Sequence, residues 1–336
     1  MNVPNVITNG KTVISLFAGC GGSSLGYKYS GYKELLAIDF DRNAIETFKL
    51  NFPEVPIWQK DIRQVTSKEI LDFCNLKVGE LDILDGSPPC QGFSTAGKRN
   101  VNDSRNDLFL EYVRLVKELK PKVFVMENVS GMIKGKMKGK YIEIIKTLKE
   151  LNYNVKSAVL NSMYYGVPQS RQRLIFIGIR KDFNITPSFP LSKTKPINVE
   201  IALKNIDLTN DEKLIYSNKN EQDLILKLQE GQQMSKIHPK GWRFNLIKID
   251  RNKPCPTITK TFRQSQTGLL HYNENRFLTI SELKRLSSFP DDFKFIGKFE
   301  EQWARIGNAV MPMFMYYISS HIALIMQWQG KIEEFK

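Results

Sequence analysis

The sequence predicts an α/β protein, a doubly wound and mostly parallel sheet carrying a smaller inserted domain. Three observations carry that expectation. Residues 12–17 (TVISLF) are a strand-type apolar run that enters a glycine-rich turn, Ala18-Gly19-Cys20-Gly21-Gly22, and then a helix start at Ser23-Ser24-Leu25-Gly26. Further short apolar runs follow at residues 34–38, 55–58, 81–84 and 123–126. From Asn184 onward this pattern fades into Thr186, Pro187, Pro190, Lys193 and Pro196, a linker composition that marks a boundary.

The bulk properties bound the answer. The 336 residues give room for two domains, and 41% hydrophobic content is ordinary for a soluble globular chain. The opening MNVPNVITNGK has no apolar h-region, so no signal peptide is expected and the cytoplasm is the expected compartment. Residues 309–328 are apolar, but Pro312, Ser319-Ser320-His321 and Gln327 fit a packed terminal helix rather than a membrane span. Cys20, Cys74, Cys90 and Cys255 form no CxxC pair and the three histidines are scattered, so neither a disulfide framework nor a metal site is expected. A formal charge of +14 points to a polyanionic partner.

Taken in order, each element has its own reason. Glycines in the 18–22 turn let the backbone bend sharply and approach a ligand closely, and the spacing Gly19-x-Gly21-Gly22 departs from the GxGxxG of dehydrogenases. Asp39 follows the second strand twenty positions after Gly19, where a carboxylate can accept from ribose hydroxyls. Asp61 is a candidate helix N-cap as well as a ligand contact. Residues 81–94 (LDILDGSPPCQGFS) place Cys90 on a loop stiffened by Pro88 and Pro89, just past a buried strand. Residues 107–120 carry Phe109, Tyr112, Val113, Val116 and Leu119 at helical spacing, with Pro121 as the stop. Glu127 is expected to emerge from the end of the strand at 123–126. Arg171 and Arg173 alternate with Gln172, so both are expected to face the same way. Residues 214–228 read as a helix. Residues 236–263 hold eight cations against one acid, Asp250, with Trp242, Phe244 and Phe262 interleaved, as a phosphate-tracking surface with stacking groups requires.

The tract PCQGFSxxGK followed by Asp103, Arg105, Leu108 and Phe109 resembles the catalytic segment of the DNA (cytosine-5)-methyltransferases of bacterial restriction-modification type. Phe17-Ala18-Gly19-Cys20-Gly21-Gly22, Glu127-Asn128-Val129, GVPQSRQR at 166–173, RNKPCPTIT at 251–259 and QWARIGNAV at 302–310 resemble the family's other segments in the family's order. The likeness runs from Thr12 to about Met326, and residues 184–235 have no recognisable match.

The resemblance implies a Rossmann-like methyltransferase sheet and S-adenosylmethionine as cofactor, with S-adenosylhomocysteine as product. Its cofactor contacts would be Phe17, Ala18, Gly19, Cys20, Gly21, Gly22, Asp39, Phe40, Asp61, Ile62, Pro89, Leu108, Asn308 and Ala309. Asp39 stands where a glutamate is more usual. Its catalytic residues would be Cys90, Glu127, Arg171 and Arg173, and its DNA contacts Ser94, Lys98, Arg105, Lys248, Arg251, Thr257, Lys260 and Arg263. The expected partner is double-stranded DNA, with a functionally paired restriction endonuclease, and the chain is expected to act as a monomer. The expected domains are a catalytic domain at 11–183 plus 303–336, a target-recognition domain at 184–276 and a hinge at 277–302. Two other readings stay open, a tRNA cytosine methyltransferase and a catalytically silent DNA-binding repressor on the same fold. The long basic region disfavours the first and the intact Cys90, Glu127 and Arg173 the second.

Overall fold

The structure, a computed structural model, describes residue 4 and residues 6–89 and 107–328. Cys90, Ser94, Lys98 and Arg105 lie outside the described residues. The described chain divides into two units, one of residues 4–161, 172–191 and 315–328, the other of residues 162–171 and 192–314.

The larger unit is built on β1 (Thr12–Leu16), four of whose five residues are buried, as an apolar run between two neighbours should be. β2 (Lys33–Asp39) and β3 (Ile57–Gln59) lie to one side of it. On the other side come β4 (Ile83–Gly86), β5 (Val123–Val129), β7 (Gln172–Arg180) and, at the edge, β6 (Tyr153–Asn161). The seven-stranded order is therefore β3-β2-β1-β4-β5-β7-β6, with the first four junctions parallel and the last two antiparallel. Parallel neighbours need crossovers, and α1 (Gly22–Tyr29), α2 (Arg42–Asn51), α3 (Ser67–Cys74) and α4 (Asp107–Leu119) lie between successive strands, while α5 (Lys138–Glu150) leads into β6. This is the expected doubly wound, mostly parallel class. The order reverses between β1 and β4, and in open sheets that switch point is where strand ends open a crevice for ligands.

Packing explains the local choices. The five apolar positions of α4 picked out by their spacing are all buried in one core with Leu16, Leu84, Phe124 and Phe176. The Tyr112 hydroxyl, 3.2 Å from the Leu84 carbonyl and 2.9 Å from that of Val125, ties α4 to two strands at once. Gly178 pairs with Phe124 across β5 and β7, and a Cβ at Gly178 would sit 2.0 Å from the Phe124 ring. Near the end of the described chain Ser30 Oγ lies 3.2 Å from the Tyr316 carbonyl and Tyr32 donates to that of Ser319, holding the last helix, α10 (Pro312–Ile325), in this core as a packed helix. Among the described residues no helix is long and apolar enough to cross a membrane.

The smaller unit has its own core, to which Phe277, Leu278, Leu283, Leu286, Phe299, Trp303 and Ile306 contribute. These side chains carry the unit beyond residue 276 to residue 314, through the expected hinge. Its elements are short: α6 (Val199–Leu203), α7 (Gln222–Lys227), a parallel pair β8 (Leu246–Lys248) and β9 (Gly268–Leu270), α8 (Ile280–Leu286) and α9 (Phe299–Asn308). The helix expected at 214–228 is confined to α7 and one preceding 3-10 turn. Asn218 caps that turn through the Asn220 amide, and the Leu214 carbonyl is taken by the Phe277 amide instead of a helical partner.

Candidate active site

At the end of β1 the chain turns through three positive-φ residues, Phe17 at 57°, Gly19 at 57° and Gly21 at 92°. The left-handed region is uncommon for a residue such as Phe17, and such conformations persist where surrounding structure enforces them. Here the Ala18 amide donates to the Ile38 carbonyl (3.1 Å) and the Gly19 amide to Asp39 Oδ2 (2.8 Å), so β2 holds the turn. Asp39 Oδ1 accepts the Asp41 amide at 2.8 Å, and burial lifts the Asp39 carboxyl above its usual range despite these bonds. At Gly21 a Cβ would meet Phe52 at 2.3 Å, whereas at Gly19 it would point into open space with no atom within 4 Å. Gly21 caps α1 with no side-chain hydrogen bond, Gly22 begins the helix and Cys20 is buried. Phe40 follows β2 with 70% of its surface exposed. Open space over Gly19, a carboxylate and an uncovered aromatic face fit a nucleoside carrying a charged chain.

Asp61 serves as a cap, accepting the Arg63 amide, and is also gripped by the Arg63 guanidinium, which holds its carboxyl below the usual range. Ile62 beside it is buried, Leu108 is partly buried in the first turn of α4, and Pro89 is half-buried. In the smaller unit Asn308 is exposed at the end of α9 and Ala309 is that helix's C-cap.

Beyond β4, Ser87 Oγ donates to the Phe17 carbonyl at 3.4 Å, and Asn128 Nδ2 donates to the Pro88 carbonyl at 3.2 Å. Pro88 and Pro89 have no N–H to give, so their carbonyls are the handles by which this segment can be held. The role of Asn128 was missed in the sequence, although the residue stands beside Glu127. Glu127 does not emerge past its strand: β5 continues to Val129, and Glu127 pairs with Ile175 of β7. Arg173 is two residues from Ile175 along β7, which puts the two charged side chains on one face as diagonal neighbours. Arg173 Nε lies 2.6 Å from Glu127 Oε1, with both side chains largely buried.

Arg171 lies just before β7 and is engaged differently. It is buried, with Nη1 donating to the Ile258 carbonyl (2.8 Å) and Nη2 to that of Gly307 (2.9 Å). The two arginines expected to act on one face thus have separate partners.

Below the glycine turn, Tyr27 donates to Asp85 Oδ1 at 3.2 Å and Ser24 to Glu34 Oε1 at 3.0 Å. Burial, against the Tyr27 bond and with help from the nearby Glu34 charge, pushes the Asp85 carboxyl up to about 8. Burial likewise lifts Glu34 to about 7.

The basic tract of the smaller unit is sorted by its partners. Arg243 pairs with Glu221, Lys253 with Asp250, and Arg251 with Glu230 while lying over the Tyr272 ring. Lys236, Lys240, Lys248, Lys260 and Arg263 have no ion pair with a described residue. Thr257 donates to the Ser170 carbonyl at 2.8 Å. Phe262 belongs to the core, packed edge-on to Phe277, and so is not a stacking group. A cleft of about 530 Å³ has Lys236, Lys248, Lys253 and Thr257 among its lining residues.

Residues 11–323 match the family described as C-5 cytosine-specific DNA methylase. The chain is 35% identical to the Type II methyltransferase M1.HphI of Haemophilus parahaemolyticus, over 93% of this chain and 86% of that one. It is 32% identical to the Type II methyltransferase M.DdeI of Desulfomicrobium norvegicum, over 93% and 88%. Among solved structures, a protein described as a DNA modification methyltransferase encoded within an E. coli prophage superposes with a TM-score of 0.77 at 25% identity, over 94% of this chain and 99% of that one. Of the three readings open from the sequence, these matches support the DNA-modifying enzyme. With a glycine turn at the β1/β4 switch point and a carboxylate–arginine pair across β5 and β7, the chain belongs to the C-5 cytosine-specific DNA methylases, enzymes that carry the methyl group of S-adenosylmethionine to C5 of cytosine in DNA.

Proposed function

We propose that the reaction runs through a covalent bond between Cys90 and C6 of a cytosine flipped out of a specific duplex sequence. Cytosine C5 is a poor nucleophile toward a methyl donor, but thiolate addition at C6 turns the ring into an enamine that attacks from C5. In this reading Cys90 supplies the thiolate, Glu127 hydrogen-bonds N3 and the exocyclic amine, and Arg173 holds O2. The observation that carries it is the Glu127–Arg173 pair at 2.6 Å, two base-edge partners already facing the same way. Asn128 would aim the loop by holding Pro88. Arg171, tied to two backbone carbonyls, would act by holding its own segment. Loss of the C5 proton to a solvent base returns the C–S bonding pair to Cys90, which leaves as thiolate. A target stacked in a duplex is out of reach, so the base must be flipped out.

S-Adenosylmethionine would supply the methyl group as an electrophile and leave as S-adenosylhomocysteine. Phe17 to Gly22 would give it a backbone cradle, Phe40 an adenine face, and Asp39 its remaining acceptor capacity to the ribose, with Asp61, Ile62, Pro89, Leu108, Asn308 and Ala309 completing the contacts. No metal is needed for this chemistry. In this reading methylation protects DNA from a paired restriction endonuclease, in keeping with relatives named Type II methyltransferases, and the chain would act as a monomer in the cytoplasm. Ser94, Lys98, Arg105, Lys248, Arg251, Thr257, Lys260 and Arg263 would contact the DNA.

An oligonucleotide with fluorine at C5 of the target cytosine tests the covalent step. Fluorine cannot leave as a cation, so the adduct should be stranded as a protein–DNA complex that survives denaturation, requires S-adenosylmethionine for efficient trapping and is absent in Cys90→Ser. Ordinary turnover without any trapped complex would end the proposal.

A further inference from the structure

Among the described residues, four phenylalanine or tryptophan side chains are half or more exposed: Phe40, Phe73, Trp242 and Phe244. Trp242, 53% exposed, and Phe244, 66%, stand two residues apart in one loop of the smaller unit. A slack loop would fold such rings onto the nearest apolar surface, yet this loop is tied down. Arg243 between them has a left-handed backbone, φ 66°, which a long side chain adopts only where its surroundings enforce it. Glu221 supplies the enforcement, accepting Arg243 Nε at 3.1 Å and Nη2 at 2.9 Å together with the Tyr216 hydroxyl.

The carboxylate also reaches the base of the loop. His238 Nδ1 accepts the Lys240 amide at 3.1 Å, which leaves the ring proton on Nε2, 3.5 Å from Glu221. The same imidazole stacks on Trp242 with centroids 5.6 Å apart, and Lys240 Nζ lies 4.8 Å over the indole. Burial would raise the Glu221 carboxyl, but the Arg243 fork and then the Tyr216 hydroxyl bring it below the usual range.

We propose that residues 238–244 form a preorganised prong that seats Trp242 and Phe244 on the bases of the DNA target, with Glu221 as the positioning residue that holds it. The proposal rests on the reading of the smaller unit as the part that recognises DNA. Aromatic faces stack on bases or wedge between base steps, and loop cations beside them suit a polyanion. Phosphates give a ring nothing comparable to stack on, so the contact is with bases.

The test separates base contact from charge. The methylated sequence is first found by 5-methylcytosine mapping of DNA from cells expressing the protein, and binding is then measured on that duplex and on a scrambled one at several salt concentrations. Joint Trp242→Ala and Phe244→Ala substitution should weaken target binding by on the order of tenfold. It should narrow the gap between target and scrambled duplexes, and leave the salt slope in place because a ring neutralises no phosphate. Glu221→Gln should give the same pattern, read beside its melting temperature. Lys248→Gln with Lys260→Gln should instead flatten the slope. Full discrimination retained in the folded aromatic variant, with a flattened slope in the lysine variant, overturns the prong and leaves the DNA reading standing. No change in either variant overturns both.

Discussion

Asp85 and Glu34 are carboxyl groups in a place that disfavours their charge, and this makes the fold's stability depend on pH. In the unfolded chain each ionises near pH 4, whereas in the fold Asp85 holds its proton to about 8 and Glu34 to about 7. Between those limits the folded state binds more protons than the unfolded one, so stability falls as pH rises, by up to ~1.4 kcal/mol per pH unit for each group. The loss should be complete above about 8. Thermal melts from pH 5 to 8 should therefore decline, and Asp85→Asn should reduce that decline. An Asp85→Asn protein with an unchanged pH slope would count against the burial account. Glu127 and Arg173 are brought together by a diagonal register across two antiparallel strands. Their identities were readable from ENV and SRQR. Their contact was not, because the seven-strand order that pairs β5 with β7 is not local information.

Strands and helices of the larger unit were legible because their periodicities are strong. Residues 12–17, 34–38 and 107–120 became β1, β2 and α4 with shifts of one residue at some ends. In the smaller unit most elements other than α9 are too short for a period to show, and the 214–228 stretch failed as a helix because Asn218 and the Leu214 carbonyl made other bonds. The basic tract misled in a related way: charge could be counted, but Glu221, Glu230 and Asp250 claim three of the eight cations, and only folding brings Glu221 and Glu230 to them. The β5–β7 junction offers a test at this scale. Gly178→Ala forces a methyl group to within 2.0 Å of the Phe124 ring unless the core shifts, so it should cost about 1–3 kcal/mol in denaturant melts. A Gly178→Ala protein as stable as the parent would mean that the ring moves freely, against the packing described for the Phe124 core.

Across the whole molecule, the excess of +14 matters through the cations that remain without an ion pair to a described residue. If Lys236, Lys240, Lys248, Lys260 and Arg263 each meet a phosphate, log affinity for duplex DNA should fall with log salt at a slope of about −4 to −5. Fluorescence anisotropy between 50 and 200 mM salt should then register a loss on the order of a hundredfold or more. A flat response would remove this surface from the DNA. The division of the chain has another outcome, for specificity as a heritable trait. Residues 162–171 belong with 192–314, although β7 and the 181–191 stretch separate them in sequence. Within that set Gln169 bridges to Cys255, Ser170 donates to the Cys255 carbonyl, and Arg171 grips Ile258 and Gly307. Each of these contacts meets the 192–314 stretch at its main chain, so what a crossover from 192 onward has to preserve is the backbone path at 255, 258 and 307 rather than the side chains there. On the proposed reading of this unit as the part that recognises DNA, a foreign segment that keeps this path should seat against residues 162–171 and bring its own target sequence with it.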